Sequence, residues 1–576
     1  MNNIINNNHI IFNEWKLSIN DKKYTSWKWE LNTPATTTST PHPSPEINPI
    51  AYKLFTDDII LENGELLYSP IRNCKTIAGV LLLENNRTFG RTNNGKRLLY
   101  KCIPNNKRLP EFLVPYSIPL GFSKDIKNKY VIFKFEHWNE THPNGILVEV
   151  LGNVNELEPY YEYQIYCKNL NLQNNCFSKK IREIFQPNNN PEDHIQKILS
   201  NSKYNIENRI DTTPVFTIDP EGSQDFDDGF SITKLNRPDE PEKIKLSIYI
   251  SNVFLWFETY NLWEYLEENV STIYLPNKRR PMLPPILSNQ LCSLLEKKPR
   301  FAFCMDIIFN NEGEPIQTTF CNVLIQVSKN YIYEEPKLLK NKNYQQILEF
   351  TKILSPKIKN SFEMVEYWMI YMNKYCGKIM LENKFGIFRN VNLIDKDIGK
   401  GSFDLIKNWK NINSQYIVYS GEQTIQHEIL GVEGYIQITS PIRRLVDLLN
   451  QTIFILKMGM IENSNRVGEL FYEKWGSNIQ TINRNMKSIS KIERECALMH
   501  KCTTDLVFFQ GEHEAIVLDC TIKNEKEFVY FIYLEELKHI FKLKSNLQKE
   551  QFSKIKIKMY KFQDEYNINK KIRFHF

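Results

Sequence analysis

Thr217-Ile218-Asp219-Pro220-Glu221-Gly222-Ser223-Gln224-Asp225-Phe226-Asp227-Asp228-Gly229 places four aspartates within ten residues, two of them adjacent. The flanks Val215-Phe216-Thr217-Ile218 and Phe230-Ser231-Ile232 are apolar enough to be buried, so the cluster is expected on strands of a core. Like charges a few ångströms apart resist joint ionisation, and carboxylates this dense call for a cation. Oxygen ligands suit Mg²⁺ or Mn²⁺, and two such ions form the usual clamp for phosphodiester cleavage. Alternation predicts Asp225 and Asp227 on one side of an extended chain and Asp228 on the other, with Gly229 letting the backbone turn. The spacing lacks the Gly and Glu that an EF-hand calcium loop needs. A solvated acidic turn is the plain alternative.

Two other stretches carry chemistry. Tyr274-Leu275-Pro276-Asn277-Lys278-Arg279-Arg280-Pro281-Met282-Leu283-Pro284-Pro285 sets an aromatic and three consecutive cations on a Pro-stiffened loop, followed by Leu287-Ser288-Asn289-Gln290-Leu291-Cys292-Ser293-Leu294. Such a loop can position a base and its phosphates; a basic surface loop explains it equally well. Thr439-Ser440-Pro441-Ile442-Arg443-Arg444-Leu445-Val446-Asp447 predicts a helix with Ser440 as N-cap and Pro441 in the first turn. Hydroxyls and two arginines at a helix start suit a phosphate, against a capped helix whose arginines pair with Asp447 or Glu433.

The 576 residues exceed one small domain, and 41% apolar composition is ample for several cores. A net charge of +6 and a pI near 8.5 are compatible with an anionic partner without identifying one. Eleven scattered cysteines with no Cys-x-x-Cys pair predict reduced thiols in an intracellular setting, cytoplasmic with the nucleus as the alternative. No secretory signal is evident in Met1 to Trp15, and no apolar run approaches membrane-spanning length, so no membrane contact is expected.

Along the chain, residues 1–58 are rich in Asn, Thr, Ser and Pro and predict a disordered or low-complexity region, with Trp27 and Trp29 free to anchor locally or to reach a protein partner. Short strands with Gly and Asn turns from about Ile59 to Leu170 predict small barrels, among them Ile77–Leu83, Lys96–Lys101, Tyr130–Phe135 and Gly145–Gly152. Basic residues interleaved with aromatics on such strands suit single-stranded nucleic acid; ordinary solvent-facing charge is the alternative. Helix is expected over about Pro191 to Lys203, β-structure over Ile244 to Phe257, and helix over Phe362 to Leu381, where apolar residues recur at three- and four-residue spacing. From Asp505 the pattern is again β-like, and alternating Lys over Ile555–Tyr560 leaves a basic face.

Together the three stretches resemble the catalytic domain of the ribonuclease II/ribonuclease R superfamily, which includes the exosome's catalytic subunit. The family's first motif, roughly Thr-Ile-Asp-x(5)-Asp-x-Asp-Asp, is matched by Asp219, Asp225, Asp227 and Asp228. The second is followed closely by the Tyr274 loop and by Leu287 to Leu294, and the third is matched except at Leu445. Arg209 with Asp211, and Met364 to Asn373, also look like the family. The resemblance implies an α+β multidomain chain. Its parts would be the region 1–58, cold-shock-like OB barrels over 59–106 and 107–175, a linker helix over 176–204, a mixed α/β RNB catalytic domain over 205–500, and an S1-like barrel over 505–576. No amino-terminal nuclease domain is expected in residues 1 to 60.

It also implies a monomeric, processive 3′-to-5′ hydrolytic exoribonuclease that degrades single-stranded RNA to nucleoside 5′-monophosphates. Two Mg²⁺ ions, or Mn²⁺, would sit on Asp219, Asp225, Asp227 and Asp228, and Arg443 would meet the scissile phosphate. Tyr274, Arg279, Arg280, Arg444 and Glu493 would contact RNA. Departures from the family fall at Tyr249, Asn252, Leu445 and Gln451, and at Gln437-Ile438. They keep a second reading open, an RNA-binding protein with a catalytically impaired RNB domain.

Overall fold

The computed structural model describes residues 13–32, 45–84, 87–92, 95–118, 126–170, 175–186, 191–235, 243–266, 269–310, 312–393, 412–421, 424–462, 466–524 and 527–576. The chain is an α+β multidomain protein with β-barrels on either side of a mixed α/β body. No described helix is long and apolar enough to cross a membrane.

The expectation of disorder up to residue 58 is corrected wherever that region is described. Glu14–Ile19 and Trp27–Leu31 form an antiparallel pair, extended by Ile59–Leu61 and Leu66–Tyr68 into one sheet. The physical reason is local. Averaged composition hides the strict alternation of Glu14–Ile19, which buries Trp15, Leu17 and Ile19. Those residues share a core with Phe55, Phe112 and Trp138, so the sheet packs on the barrel that follows. Trp29 packs against this core, while Trp27 is exposed. Residues 1–12 and 33–44 lie outside the described residues.

The predicted boundary at 106/107 is also corrected. One closed barrel runs from Ile77–Leu81 through Leu98–Pro104, Phe112–Tyr116 and Asn144–Asn153 to Lys129–His137. Leu98–Pro104 pairs with Phe112–Tyr116 across the loop taken as a boundary, so that cut would split a barrel. Residues 59–68 belong to the preceding sheet instead.

The central body is built on a sheet in the order Ile206–Asn208, Pro315–Ile332, Val215–Asp219, Asp228–Leu235, Lys243–Ser251, Pro299–Phe309. Pro315–Ile332 is long enough to pair with Pro299–Phe309 along its first part and with Val215–Asp219 along its last, which closes the sheet on itself. β-structure ends at Ser251, not at Phe257, because Asn252 caps a helix over Val253–Tyr260 through the Leu255 N–H. Ser361–Glu382 is helical as the spacing predicts. It buries Met364, Trp368, Met372, Cys376 and Met380, and the Gly377 backbone lies against Gly434.

The last unit orders its strands His539–Ser545, Glu527–Leu534, His513–Asn524, Lys554–Gln563, Lys570–His575. Its edge strands come back together where Phe541 meets Phe574 at 4.6 Å. On the basic face, Lys556 and Lys558 pair with Glu512 at 3.6 and 3.4 Å. Buried Lys570 ties this unit to the first barrel: its ammonium donates to the Val154 carbonyl and lies 5.5 and 5.6 Å from the Tyr130 and Tyr160 rings. Burial lowers the Lys570 pKa to about 8.

Candidate active site

The two flanks of the acidic stretch form an antiparallel pair, with Phe216 opposite Phe230. That register sets Asp219, the last residue of Val215–Asp219, at the same sheet end as Asp228, the first of Asp228–Leu235. Residues 220–227 are not a strand, so the alternation expected for Asp225, Asp227 and Asp228 does not apply. The turn instead delivers all four aspartates to one cavity of about 760 Å³.

The four carboxylates have different partners. Asp227 is 2% exposed, and its oxygens accept from the Ile442 N–H and from Arg443 Nε, each at 3.0 Å. Asp225 is held by Arg279, which also donates to Gln224 Oε1 at 2.8 Å and Asn289 Oδ1 at 2.7 Å. Asp219 and Asp228 each keep one buried oxygen, Oδ2, without a hydrogen-bond partner. Burial, then the neighbouring Asp228 carboxylate, pushes Asp219 well above the usual range. Burial raises Asp227 to about 7 and Asp228 to about 6, with Arg443 opposing both. Raised values and unpartnered buried oxygens of this kind suit carboxylates that hold a cation. Among the described residues, no three of the four bring ligand oxygens within 4.8 Å of one another. The donor set is therefore an open acidic wall, which fits a cation that keeps some of its waters, as Mg²⁺ does.

The arginines line the same cavity. The helix predicted to start after Ser440 begins at Leu445 instead. Arg444 is extended and bridges Ser271, and the Ser440 N–H is taken by Asp447 Oδ1 at 2.8 Å, so the chain turns through Pro441–Arg443 before the helix. That turn aims the Ile442 N–H at Asp227 and leaves the Arg443 side chain 42% exposed toward the cavity, braced by Ser440 Oγ at 2.9 Å. Arg444 lines the cavity but also bonds Asp447 at 2.9 Å.

Tyr274 and Arg279 face each other in a short hairpin at the lip of the cavity. Tyr274 is 45% exposed, and its backbone N–H donates to Glu493 Oε1 at 2.8 Å. Glu493 thus positions Tyr274 and is not among the lining residues. Arg280 is not there either: with Lys278 it pairs with Glu162 of the helix Leu157–Cys167. Arg280 and Glu493, expected to contact RNA, thus brace the hairpin from outside the cavity lining. Sequence reasoning missed Tyr333, Phe362, Glu366, Asn373, Tyr435 and Gln437, which complete the cavity. Glu366 and Asn373, polar residues on a helix face shared with Phe362, Val365, Met369 and Ile370, are the available signal.

The departures at 249, 252, 445 and 451 lie outside this lining. Tyr249 is buried with its hydroxyl 3.0 Å from Ser231 Oγ, Asn252 bonds Asn322 at 2.9 Å, Leu445 is buried, and Gln451 donates to the Ser251 carbonyl at 2.9 Å. Gln437 is the exception and lines the cavity.

Buried aspartates and an arginine lining one cavity, on a body flanked by barrels, form a site of the chemical kind that suits phosphate esters. Comparison with known proteins agrees. Residues 207–349 match the RNB domain family and residues 99–163 the Dis3-like cold-shock domain 2 (CSD2). Residues 207–349 thus carry an RNB domain, through which the chain is similar to the ribonuclease II/ribonuclease R superfamily. DIS3-like exonuclease 2 of Schizosaccharomyces pombe is 25% identical over 245 residues, 40% of this chain and 25% of that protein. Alignments to the curated relatives span between 22% and 34% of their lengths. The fold is shared with Mycoplasma genitalium RNase R, solved with ribose methylated single-stranded RNA, at a TM-score of 0.65 and 15% identity over 98% of this chain and 100% of that one. It is also shared with yeast Ssd1, described as a pseudonuclease, at a TM-score of 0.54 and 14% identity over 83% and 66% of the two chains.

Proposed function

We propose that this chain is a processive, hydrolytic 3′-to-5′ exoribonuclease that acts on single-stranded RNA with Mg²⁺ and releases nucleoside 5′-monophosphates. The observation that carries the reading is the pair of unpartnered buried oxygens on Asp219 and Asp228, in the cavity that Arg443 enters. Asp219 and Asp228 would hold the cation, with Asp225 joining them when Arg279 moves aside. A divalent ion bound there supplies Lewis-acid polarisation of phosphate and water. Arg443, locked by Asp227 and Ser440, presents a fixed guanidinium to the charge that develops on the phosphate. Tyr274 offers an exposed ring for stacking a base at the lip. Glu366, on the helix wall, accepts from a ribose hydroxyl. Polarity and processivity rest on the resemblance to the family alone.

Arg279 seated on Asp225 favours the second reading, an RNA-binding protein with an impaired site, because a resident cation competes with metal. The two separate on one experiment, incubation of the purified chain with 5′-labelled single-stranded RNA and Mg²⁺. A ladder shortening from the 3′ end, abolished by EDTA and by Asp228→Asn, is expected. Retained RNA binding without metal-dependent shortening would establish the impaired reading.

A further inference from the structure

Away from the cavity, the described residues bring together Cys304, Asp306 and Cys321, whose ligand atoms all lie within 4.8 Å of one another. Cys304 and Cys321 stand directly opposite in the antiparallel pair of Pro299–Phe309 with Pro315–Ile332. Opposed residues have Cα atoms about 4.5–5.5 Å apart, within the span a disulfide bridges.

A metal does not fit this cluster. Both Asp306 oxygens are occupied, by Arg209 at 3.0 and 2.8 Å, Lys245 at 2.9 Å and Ser247 at 2.6 Å, and a second cation would meet a guanidinium and an ammonium. The thiols remain. Arg209 donates to Cys304 Sγ at 3.4 Å and to Cys321 Sγ at 3.2 Å. Cys304 is fully buried, whereas Cys321 is only partly covered. The Cys304 thiol, and after it Arg209, lower the Cys321 pKa against the opposing effect of burial, while burial pushes Cys304 well above the usual thiol value. A partly covered cysteine beside a guanidinium, with a second thiol opposite it, is the arrangement that oxidises selectively.

We propose that Cys304 and Cys321 form a redox-active dithiol that hydroperoxides convert to a cross-strand disulfide. The Cys321 thiolate attacks a peroxide oxygen, the O–O bond breaks, and hydroxide or alkoxide leaves a sulfenic acid on Cys321. The Cys304 sulfur then bonds to the Cys321 sulfur as the S–O bond breaks, and the hydroxide departs with the Cys304 proton as water. The dithiol loses two electrons and the peroxide gains them. The bond staples the seam of the closed sheet, one residue from Asn322, where Pro315–Ile332 also meets Ile206–Asn208.

The test treats the reduced, full chain with equimolar hydrogen peroxide, alkylates the remaining thiols in denaturant, and maps the peptides by mass spectrometry. Alkylation is expected to fall from eleven cysteines to nine, eleven less the two joined, with a Cys304–Cys321 linked peptide. Cys304→Ala is expected to stop at a Cys321 sulfenic acid that dimedone traps, and Cys321→Ser to leave Cys304 reduced. If exposed Cys176 oxidises first and the pair stays reduced, or if the linkage joins other cysteines, the proposal fails. The wild-type arm needs no variant to fold, and no arm depends on cleavage of RNA.

Discussion

Asp227→Asn tests whether this carboxylate serves mainly to hold Arg443. Its two oxygens accept from the Ile442 N–H and from Arg443 Nε, each at 3.0 Å. An amide has one acceptor oxygen. If that oxygen keeps the Ile442 bond, an NH₂ group faces the guanidinium and the charge-assisted bond is lost. Such a bond contributes about 1.5–3 kcal/mol, so the rate should fall roughly 10–10²-fold at about 1.4 kcal/mol per decade. Arg443→Ala removes the donor itself and should cost about 10²–10³-fold. The double variant should then be no slower than Arg443→Ala, because no guanidinium is left to orient. If Asp227 acted independently, as a metal ligand would, the two losses would multiply to about 10³–10⁵-fold. The assay is single-turnover release of mononucleotide from labelled single-stranded RNA at pH 8, above the pKa of about 7 to which burial raises Asp227. A double variant tenfold or more below Arg443→Ala would refute the anchoring role.

Three further outcomes are expected. Asp227 and Asp228 are raised from 3.8 to about 7 and about 6, so the folded protein binds more protons than the unfolded one between about pH 4 and 7. Metal-free protein should therefore lose stability as pH rises through that window, and calorimetry should show Mg²⁺ raising Tm more at pH 8 than at pH 5; equal shifts would contradict the carboxylate site. Tyr274→Ala should weaken RNA binding about 10–10²-fold by fluorescence anisotropy, with Phe restoring it, since stacking is worth ~1–3 kcal/mol per base. Gly377→Ala would bring a Cβ to 1.8 Å from the Gly434 carbonyl oxygen, and denaturant titration should show a loss of about 3 kcal/mol or more.

The sequence revealed what is dense and local. Four aspartates between apolar flanks, and an arginine pair after Ser440, are chemistry visible within a dozen residues, and the chain folds them into one cavity. What it hid depends on pairing at long range. The start of the helix at Leu445 follows from Arg444 bridging Ser271 and from Asp447 taking the Ser440 N–H, and no window around Ser440 contains Ser271. Arg280 sits beside Arg279 in sequence but on the other face of a two-residue strand, so it pairs with Glu162 while Arg279 enters the cavity. The first sheet was obscured because six alternating residues lie between Asn-rich and Thr/Pro-rich stretches that dominate any composition average.

Which aspartates matter most follows from their partners. Arg279 donates to three acceptors, and its side chain is only 18% exposed, so solvent does little to loosen its hold on Asp225. Asp227 has both oxygens engaged. A cation reaching either residue meets an arginine already seated there, whereas at Asp219 and Asp228 it meets one buried oxygen each with no other partner. Desolvated carboxylates without partners destabilise a fold unless neutralised by protons or metal. Substitution of either by Asn should therefore relieve the metal-free protein while removing the cation's best ligands, which separates a metal site from a structural one.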